Sequence, residues 1–541
     1  MIAVYGHTIL DITITNTFRM DIDQILAREA ILKSSCNVLI VGKAGTGKTT
    51  FLRDVVKNCK KTLAVVAPSG IAAIEAGGQT IHSFFGFNTA AFAPGAKDGK
   101  MNLTQGQVEY INRLEVLIID EISMVRADLL DHIDSRLRRI RHIEKPFAGV
   151  QIVMIGDLKQ LPPVTNSRDN EILDDFYVDK FFFESQAFRA SDCLFIEFKK
   201  VYRQEDAAFV SLLNRVRDNL ATDKDIAELN KRYTEHCNED YVHLTTHRRI
   251  AKRINNARLE ALPGREYGFY GYSEGFFYKK DYPAPEELYL KKGSKVMFVK
   301  NNELDGYVNG TFGIVESVNS SHIKVRTSRE GRLVNVSRVR WNYEVYEFNT
   351  EKNEIETRIV GWYEQYPLMP AWAITVHKSQ GQTFDNVILD LKKCFAEGQA
   401  YVALSRCRSL EGIQLSSKID KRIIKVNKEV DEFIEEMRSQ WTTDAIKQAI
   451  IANQKKGKEP RLFYDKECVK AALEDYRVDQ ARAKRVTKNL IFNRKALWYL
   501  ADRAPQTLKA MRALYPNVEK ETVDKYGEAI LAIIKKGWKK A

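Results

Sequence analysis

At 541 residues the chain is too long for one globular core, and typical domain sizes divide it into roughly three to five units. With 44% apolar, 29% charged and 10% aromatic residues it reads as a folded chain, and no apolar run approaches the roughly 20 residues of a membrane-spanning helix, so no membrane partner is expected. The formal charge of +13 points to an anionic partner, and the excess lies late: residues 441–541 hold 23 Lys and Arg against 12 Asp and Glu.

Met1 to Met20 lacks the charged lead and small-residue cleavage site of a secretory signal, and the seven cysteines show no Cys-x-x-Cys spacing. A cytoplasmic or nuclear protein with reduced thiols is expected, with residues 1–19 a lead of no assigned role. From about Cys36 to Leu415 short apolar runs alternate with amphipathic stretches, the pattern of a parallel sheet covered by helices. Strands are predicted at Val38–Val41, Leu63–Ala67, Val116–Asp120, Gln151–Ile155, Leu194–Phe198, Val242–Thr245, Val387–Leu391 and Ile413–Leu415. The first runs into Gly42-Lys43-Ala44-Gly45-Thr46-Gly47-Lys48-Thr49, with a helix-compatible stretch from Thr50 to Asn58 behind it. Glycines let backbone N–H groups wrap phosphates, Lys48 reaches the β- and γ-phosphates of ATP, and Thr49 offers a hydroxyl to Mg²⁺.

The run Val116–Ile119 ends in Asp120 and Glu121, which suit a second Mg²⁺ contact and a water-orienting base. Gln160, after Gln151–Ile155, is placed to sense the γ-phosphate, and Arg203 and Arg406 are candidate fingers for transition-state charge. His236, Cys237, His243 and His247 have a faintly metal-like spacing beside and within a strand, where structural roles and no zinc are expected. Between about Lys292 and Tyr366, runs such as Lys295–Val299, Phe312–Val318 and His322–Thr327 predict a small antiparallel β module. Beyond about residue 430 the pattern is helical: Val430 to Asn453, a Lys-Lys-Gly-Lys-Glu-Pro linker, then amphipathic segments to Trp538.

An ordered set of residues carries a resemblance. It includes Ala67-Pro68-Ser69-Gly70-Ile71-Ala72-Ala73, Thr80-Ile81-His82-Ser83-Phe84-Phe85, Asp120-Glu121-Ile122-Ser123-Met124-Val125 and Gly156 to Val164. Gly306-Tyr307-Val308-Asn309-Gly310, Ala373 to Phe384 and Gln399 to Arg406 complete it. Together these stretches resemble superfamily-one helicases, in detail the PIF-one (petite integration frequency) family of the Pif/RecD branch. Two departures are Phe147-Ala148-Gly149, where the family often has Phe-Gly-Gly, and Lys159, where an aromatic residue is common.

The resemblance implies an α/β protein of two RecA-like P-loop lobes with ATP between them, travelling 5′ to 3′ on single-stranded DNA. Lobe 1A is expected at 20–200 with a 1B insertion at about 86–108, and lobe 2A at 201–292 and 368–435. An SH3-like 2B module is expected at 293–367, a helical linker at 436–460 and a basic helical HRDC-like module at 461–541. Gln24 is implied as the adenine reader, and Gly42, Ala44, Gly45, Thr46, Gly47, Lys48, Thr49, Thr50 and Gly381 as further nucleotide contacts. Ser69, Gly70, His82, Ser83, Phe84, Pro163, Val164, Asn309, Thr375, His377 and Lys378 are implied along the DNA track, where cations hold phosphates and rings stack on bases. The expected activity is unwinding of forked DNA by a monomer. A translocase or RNA-directed ATPase of the same fold, and an ATP-gated clamp, are the rival readings, and a clamp could dispense with Glu121, Gln160 and both arginines.

Overall fold

The computed structural model describes residues 20–87, 91–93, 103–165, 167–202, 206–275, 277, 279, 282–300, 302, 307, 309–328, 331–349, 354–380, 382–456, 462–464 and 466–540. Arg203 and Gly381 therefore lie outside the described residues, as does much of the 86–108 insertion.

Helix α1 (Ile22–Lys33) begins at a capping box in which the Asp21 and Gln24 side chains each accept the other's backbone N–H. Strands β1 (Asn37–Gly42), β2 (Leu63–Ala67), β3 (Gln79–Thr80), β4 (Val116–Ile119), β5 (Gln151–Gly156) and β6 (Cys193–Phe198) form one sheet in the order β3-β2-β4-β5-β1-β6, every pairing parallel. Unbroken apolar runs such as Val116–Ile119 suit a sheet buried on both faces. Leu39, Leu117 and Met154 face one core layer, and Val38, Ile118 and Val153 face the other. The second lobe holds a four-stranded parallel sheet of Ala373–Thr375, Val242–Thr245, Val387–Asp390 and Ile413–Leu415, in that order.

Into this lobe is inserted a five-stranded antiparallel sheet of Leu333–Val336, Ile323–Thr327, Phe312–Val318, Lys295–Phe298 and Leu368–Pro370. Its core takes Phe269, Leu288 and Leu290 from the earlier paired strands Tyr267–Tyr270 and Glu287–Leu290. A long hairpin, Val339–Asn349 with Glu354–Gln365, extends from it and pairs with Tyr272–Gly275.

After lobe 2 the helix Lys428–Gln440 returns to lobe 1, where the Phe433 ring stacks on Phe183 at 4.3 Å and Arg438 pairs with Glu197 at 2.7 Å. Thr443–Lys456 follows and buries Ile446 and Ile450 against the second face of the lobe 1 sheet. The last helices, Lys466–Lys484, Arg494–Arg503, Leu508–Arg512 and Lys520–Lys536, close around a core of their own that includes Leu473, Leu500 and Ile530. The architecture is thus α/β with two parallel-sheet lobes, an antiparallel β insertion and a helical C-terminal body. No helix among the described residues is long and apolar enough to cross a membrane.

Candidate nucleotide cleft and nucleic-acid track

Strand β1 ends at Gly42 and helix α2 (Lys48–Asn58) begins at Lys48, so the loop between them places a helix N-terminus over the sheet edge. Gly47 caps α2 at φ +81°, and a Cβ at Gly42 would sit 2.5 Å from Thr46 Oγ1, so both positions require glycine. Lys48 Nζ donates to the carbonyls of Gly42 at 2.7 Å and Lys43 at 3.0 Å, which curls its ammonium back over the loop. Thr49 and Thr50 are exposed at the mouth. The Gln24 amide lies beside Gly47, within 3.6 Å of where a Cβ would be.

Glu121 sits at φ 51°, ψ 46°, a left-handed conformation that a non-glycine residue adopts only when its surroundings hold it there. Burial, then the neighbouring Asp120 charge, pushes its carboxyl up to about 7 against the opposing pull of Lys48 and Arg406. Burial raises Asp120 too. Asp157, after β5, goes the other way: burial alone would raise it, but Arg217 and Lys48 reverse the shift and hold it ionised.

A cleft of about 820 Å³ opens between the lobes. Lobe 1 lines it with Ala44 to Thr50, Glu121 and Gln160, and lobe 2 with Thr383, Arg406, Arg408 and Ser409. Tyr202 and Asp206, which bracket the undescribed Arg203, line it as well. The Arg406 guanidinium is 1% exposed and held by its own lobe, donating to Val402 O and Ser405 Oγ at 2.9 Å each. Several polar contacts cross the cleft. Arg217 pairs with Asp157 at 3.0 Å, the Tyr401 hydroxyl accepts Ala44 N–H at 3.0 Å, and Lys159 pairs with Asp218 at 2.8 Å.

The residues implied along the DNA track divide into accessible and inaccessible groups. Ser69 Oγ caps Ala72 N–H at 3.3 Å at the start of the helix Gly70–Ala76, and His82 is half-buried. Ser83 Oγ is buried, with no hydrogen-bond partner among the described residues. Phe84 is 3% exposed and edge-on to Phe85 at 4.8 Å and Tyr110 at 6.1 Å, so its ring packs in the lobe 1 core. Pro163 and Thr375 are likewise buried. Val164 is 69% exposed, and Thr375 Oγ1 accepts the Lys378 N–H at 3.3 Å. Asn309 reaches from the β insertion to Glu75 of lobe 1 at 3.4 Å. His377 is half-buried and Lys378 exposed. Desolvation, with Arg248 nearby, lowers the pKa of both. Arg248 opens the helix Arg248–Ala261, whose Arg249, Lys252 and Arg253 are also exposed.

The profile of the PIF1-like helicases matches residues 14–225. The "ATP-dependent DNA helicase PIF1" of Danio rerio is 34% identical over 431 residues, 77% of this chain and 64% of that protein. Among solved structures, Pif1 of a Bacteroides species in complex with ADP-AlF4 is 37% identical, covers 79% of this chain and 98% of that one, and superposes with a TM-score of 0.71. The same protein bound to single-stranded DNA gives a TM-score of 0.62 at 37% identity, over 79% of this chain and 98% of that one. The chain belongs to the PIF1-like helicase family. It spans just under two thirds of the length of the Danio rerio relative. The profile of the HRDC domain matches residues 466–534, the helices with the separate C-terminal core.

Within this PIF1-like frame the structure adds residues to the cleft that sequence reasoning missed. Asp157 and Tyr401 lie inside the motif stretches, yet an Asp or Tyr in a motif carries no sign of its partner. Arg217, Arg408 and Ser409 belong to no motif, and only the packing of lobe 2 against lobe 1 brings Arg408 and Ser409 to the cleft and Arg217 to Asp157.

Proposed function

We propose that the chain is an ATP-dependent DNA helicase that moves 5′ to 3′ on single-stranded DNA and unwinds forked duplex as a monomer, in the cytoplasm or nucleus. The observation that carries this reading is the interlobe cleft, where a phosphate loop from one lobe faces Arg406 from the other across Glu121. ATP would lie on Gly42, Ala44, Gly45, Thr46, Gly47 and Thr50, with Gln24 at the adenine and Gly381 contributing from lobe 2. Lys48 would exchange its two carbonyl partners for β- and γ-phosphate oxygens. Glu121 would orient the attacking water, Gln160 would sense the γ-phosphate, and Arg203 and Arg406 would neutralise the transferring phosphoryl. Thr49 and Asp120 offer hard oxygen donors, and the half-buried, adjacent carboxyls of Asp120 and Glu121 favour a nearby cation, so the residues fit Mg²⁺. When bound, that ion screens the phosphate charge.

The track would run over Ser69, Gly70 and His82 in lobe 1, then Val164, Asn309, His377 and Lys378, with closure and opening of the cleft alternating the grip. The β insertion and the 86–108 segment would supply the wedge. The deciding experiment offers duplexes with a 5′ or a 3′ single-stranded tail, with ATP and Mg²⁺, to the chain and to Lys48→Ala. Unwinding of the 5′-tailed duplex alone, abolished by the substitution, supports the reading. DNA-stimulated ATP hydrolysis with neither duplex opened replaces it with a translocase or an RNA-directed ATPase.

A further inference from the structure

The phosphate loop takes a side-chain hydrogen-bond partner from the far lobe. Tyr401, in the lobe 2 helix Gln399–Leu404, is 4% exposed, and its hydroxyl accepts Ala44 N–H at 3.0 Å while donating to Asp157 Oδ2 at 3.2 Å. A phenol carries one proton and spare lone pairs, so both contacts hold at once. The same Asp157 oxygen takes Gln160 Nε2 at 3.2 Å, and the other oxygen takes Arg217 Nη2 at 3.0 Å. One lobe 2 hydroxyl therefore joins a phosphate-loop peptide to the carboxylate that orients Gln160. We infer that Tyr401 is a positioning residue for ATP hydrolysis, through which closure of lobe 2 sets the Ala44 peptide and the Asp157–Gln160 pair together.

The inference rests on the reading of this cleft as an ATPase site. If Tyr401 were only a packing ring, phenylalanine would serve as well. If it positions the loop, the loss of the oxygen leaves a buried N–H and a buried carboxylate without one partner each, in the closed state alone.

The test is single-stranded-DNA-stimulated ATP hydrolysis by the chain and by Tyr401→Phe, with melting temperature and DNA affinity measured alongside. A contact made only on closure predicts kcat lower by about tenfold, KM for ATP changed by less than about twofold, and DNA affinity and melting temperature unchanged. Tyr401→Phe combined with Gln160→Ala loses no more than about twofold beyond Gln160→Ala alone, because both act through Asp157. A kcat within twofold of the unaltered chain overturns the inference, as does a loss confined to KM or one that multiplies fully with Gln160→Ala. The double comparison decides the matter even where Tyr401→Phe lowers the melting temperature. If the unaltered chain hydrolyses no ATP, the ATPase reading falls and the inference with it. If it does and Tyr401→Phe matches it, the inference falls alone.

Discussion

His243 shows how surroundings decide the charge of a side chain. It lies in the lobe 2 strand Val242–Thr245, and burial, with Arg258 and Lys295 nearby, pushes its imidazole down to about 4 against the weaker pull of Glu239. An unfolded histidine titrates near 6.5. Below that value the unfolded chain takes up the proton first, so the stability that the neutral ring contributes is complete above about pH 6.5 and lost as the pH falls towards 4. Melting curves of the chain and His243→Gln at pH 7.5 and pH 5 should therefore show the unaltered chain losing more on acidification. Equal losses would mean that the ring takes up its proton as readily in the fold as in the unfolded chain. Such roles are partly legible in sequence. The i, i+3, i+4 spacing of Ile81, Phe84 and Phe85 in a single helical turn already assigns Phe84 to the core, whereas the motif around it points towards DNA. Arg217 has no such signal, because its meaning is the distant Asp157.

At the scale of elements, the helix Lys428–Gln440 decides how the two lobes are joined. The chain leaves lobe 2 and docks on lobe 1 through the Phe433 stack on Phe183, with Val430, Ile434 and Met437 buried beside it. Phe433 is only half-buried, so Phe433→Ala should cost about 2 kcal/mol, below the roughly 3–5 kcal/mol of a fully buried phenylalanine. The loss should appear as a lower first melting transition and as earlier proteolysis between residues 421 and 428. An unchanged first transition would mean that Arg438 and Ile434 suffice to hold the helix. The strands that continuous apolar runs announce are all present in the two parallel sheets. Gln79–Thr80 and Ala373–Thr375 are not legible, because two or three residues carry no periodicity. The hairpin strand from Val339 alternates apolar and polar residues, but Tyr272–Gly275, which pairs with the second hairpin strand Glu354–Gln365, lies in a segment with no matching signal.

At the scale of the molecule, charge separates the motor from its C-terminal body. The helices from Lys466 to Lys536 bury their own core, which includes Val469, Leu497 and Ile534, and they carry much of the positive excess of residues 441–541. The motor keeps its own exposed cations at Lys378 and along Arg248, Arg249, Lys252 and Arg253. A chain ending at residue 456 should thus still hydrolyse ATP and unwind a 5′-tailed duplex, while holding single-stranded DNA less tightly. Each phosphate that the shorter chain no longer neutralises lowers the slope of log affinity against log salt by about 0.7 on a single strand. With roughly two such phosphates, a slope change of about 1.4, binding weakened by about tenfold at 50 mM salt would differ little at 300 mM. Titrations of both chains with a labelled oligonucleotide across that range provide the measurement. Curves that converge as salt rises assign the C-terminal body an electrostatic grip on the strand. Curves that stay parallel mean that the truncation removed a non-ionic contact, and curves that coincide mean that the basic face of this body meets only solvent.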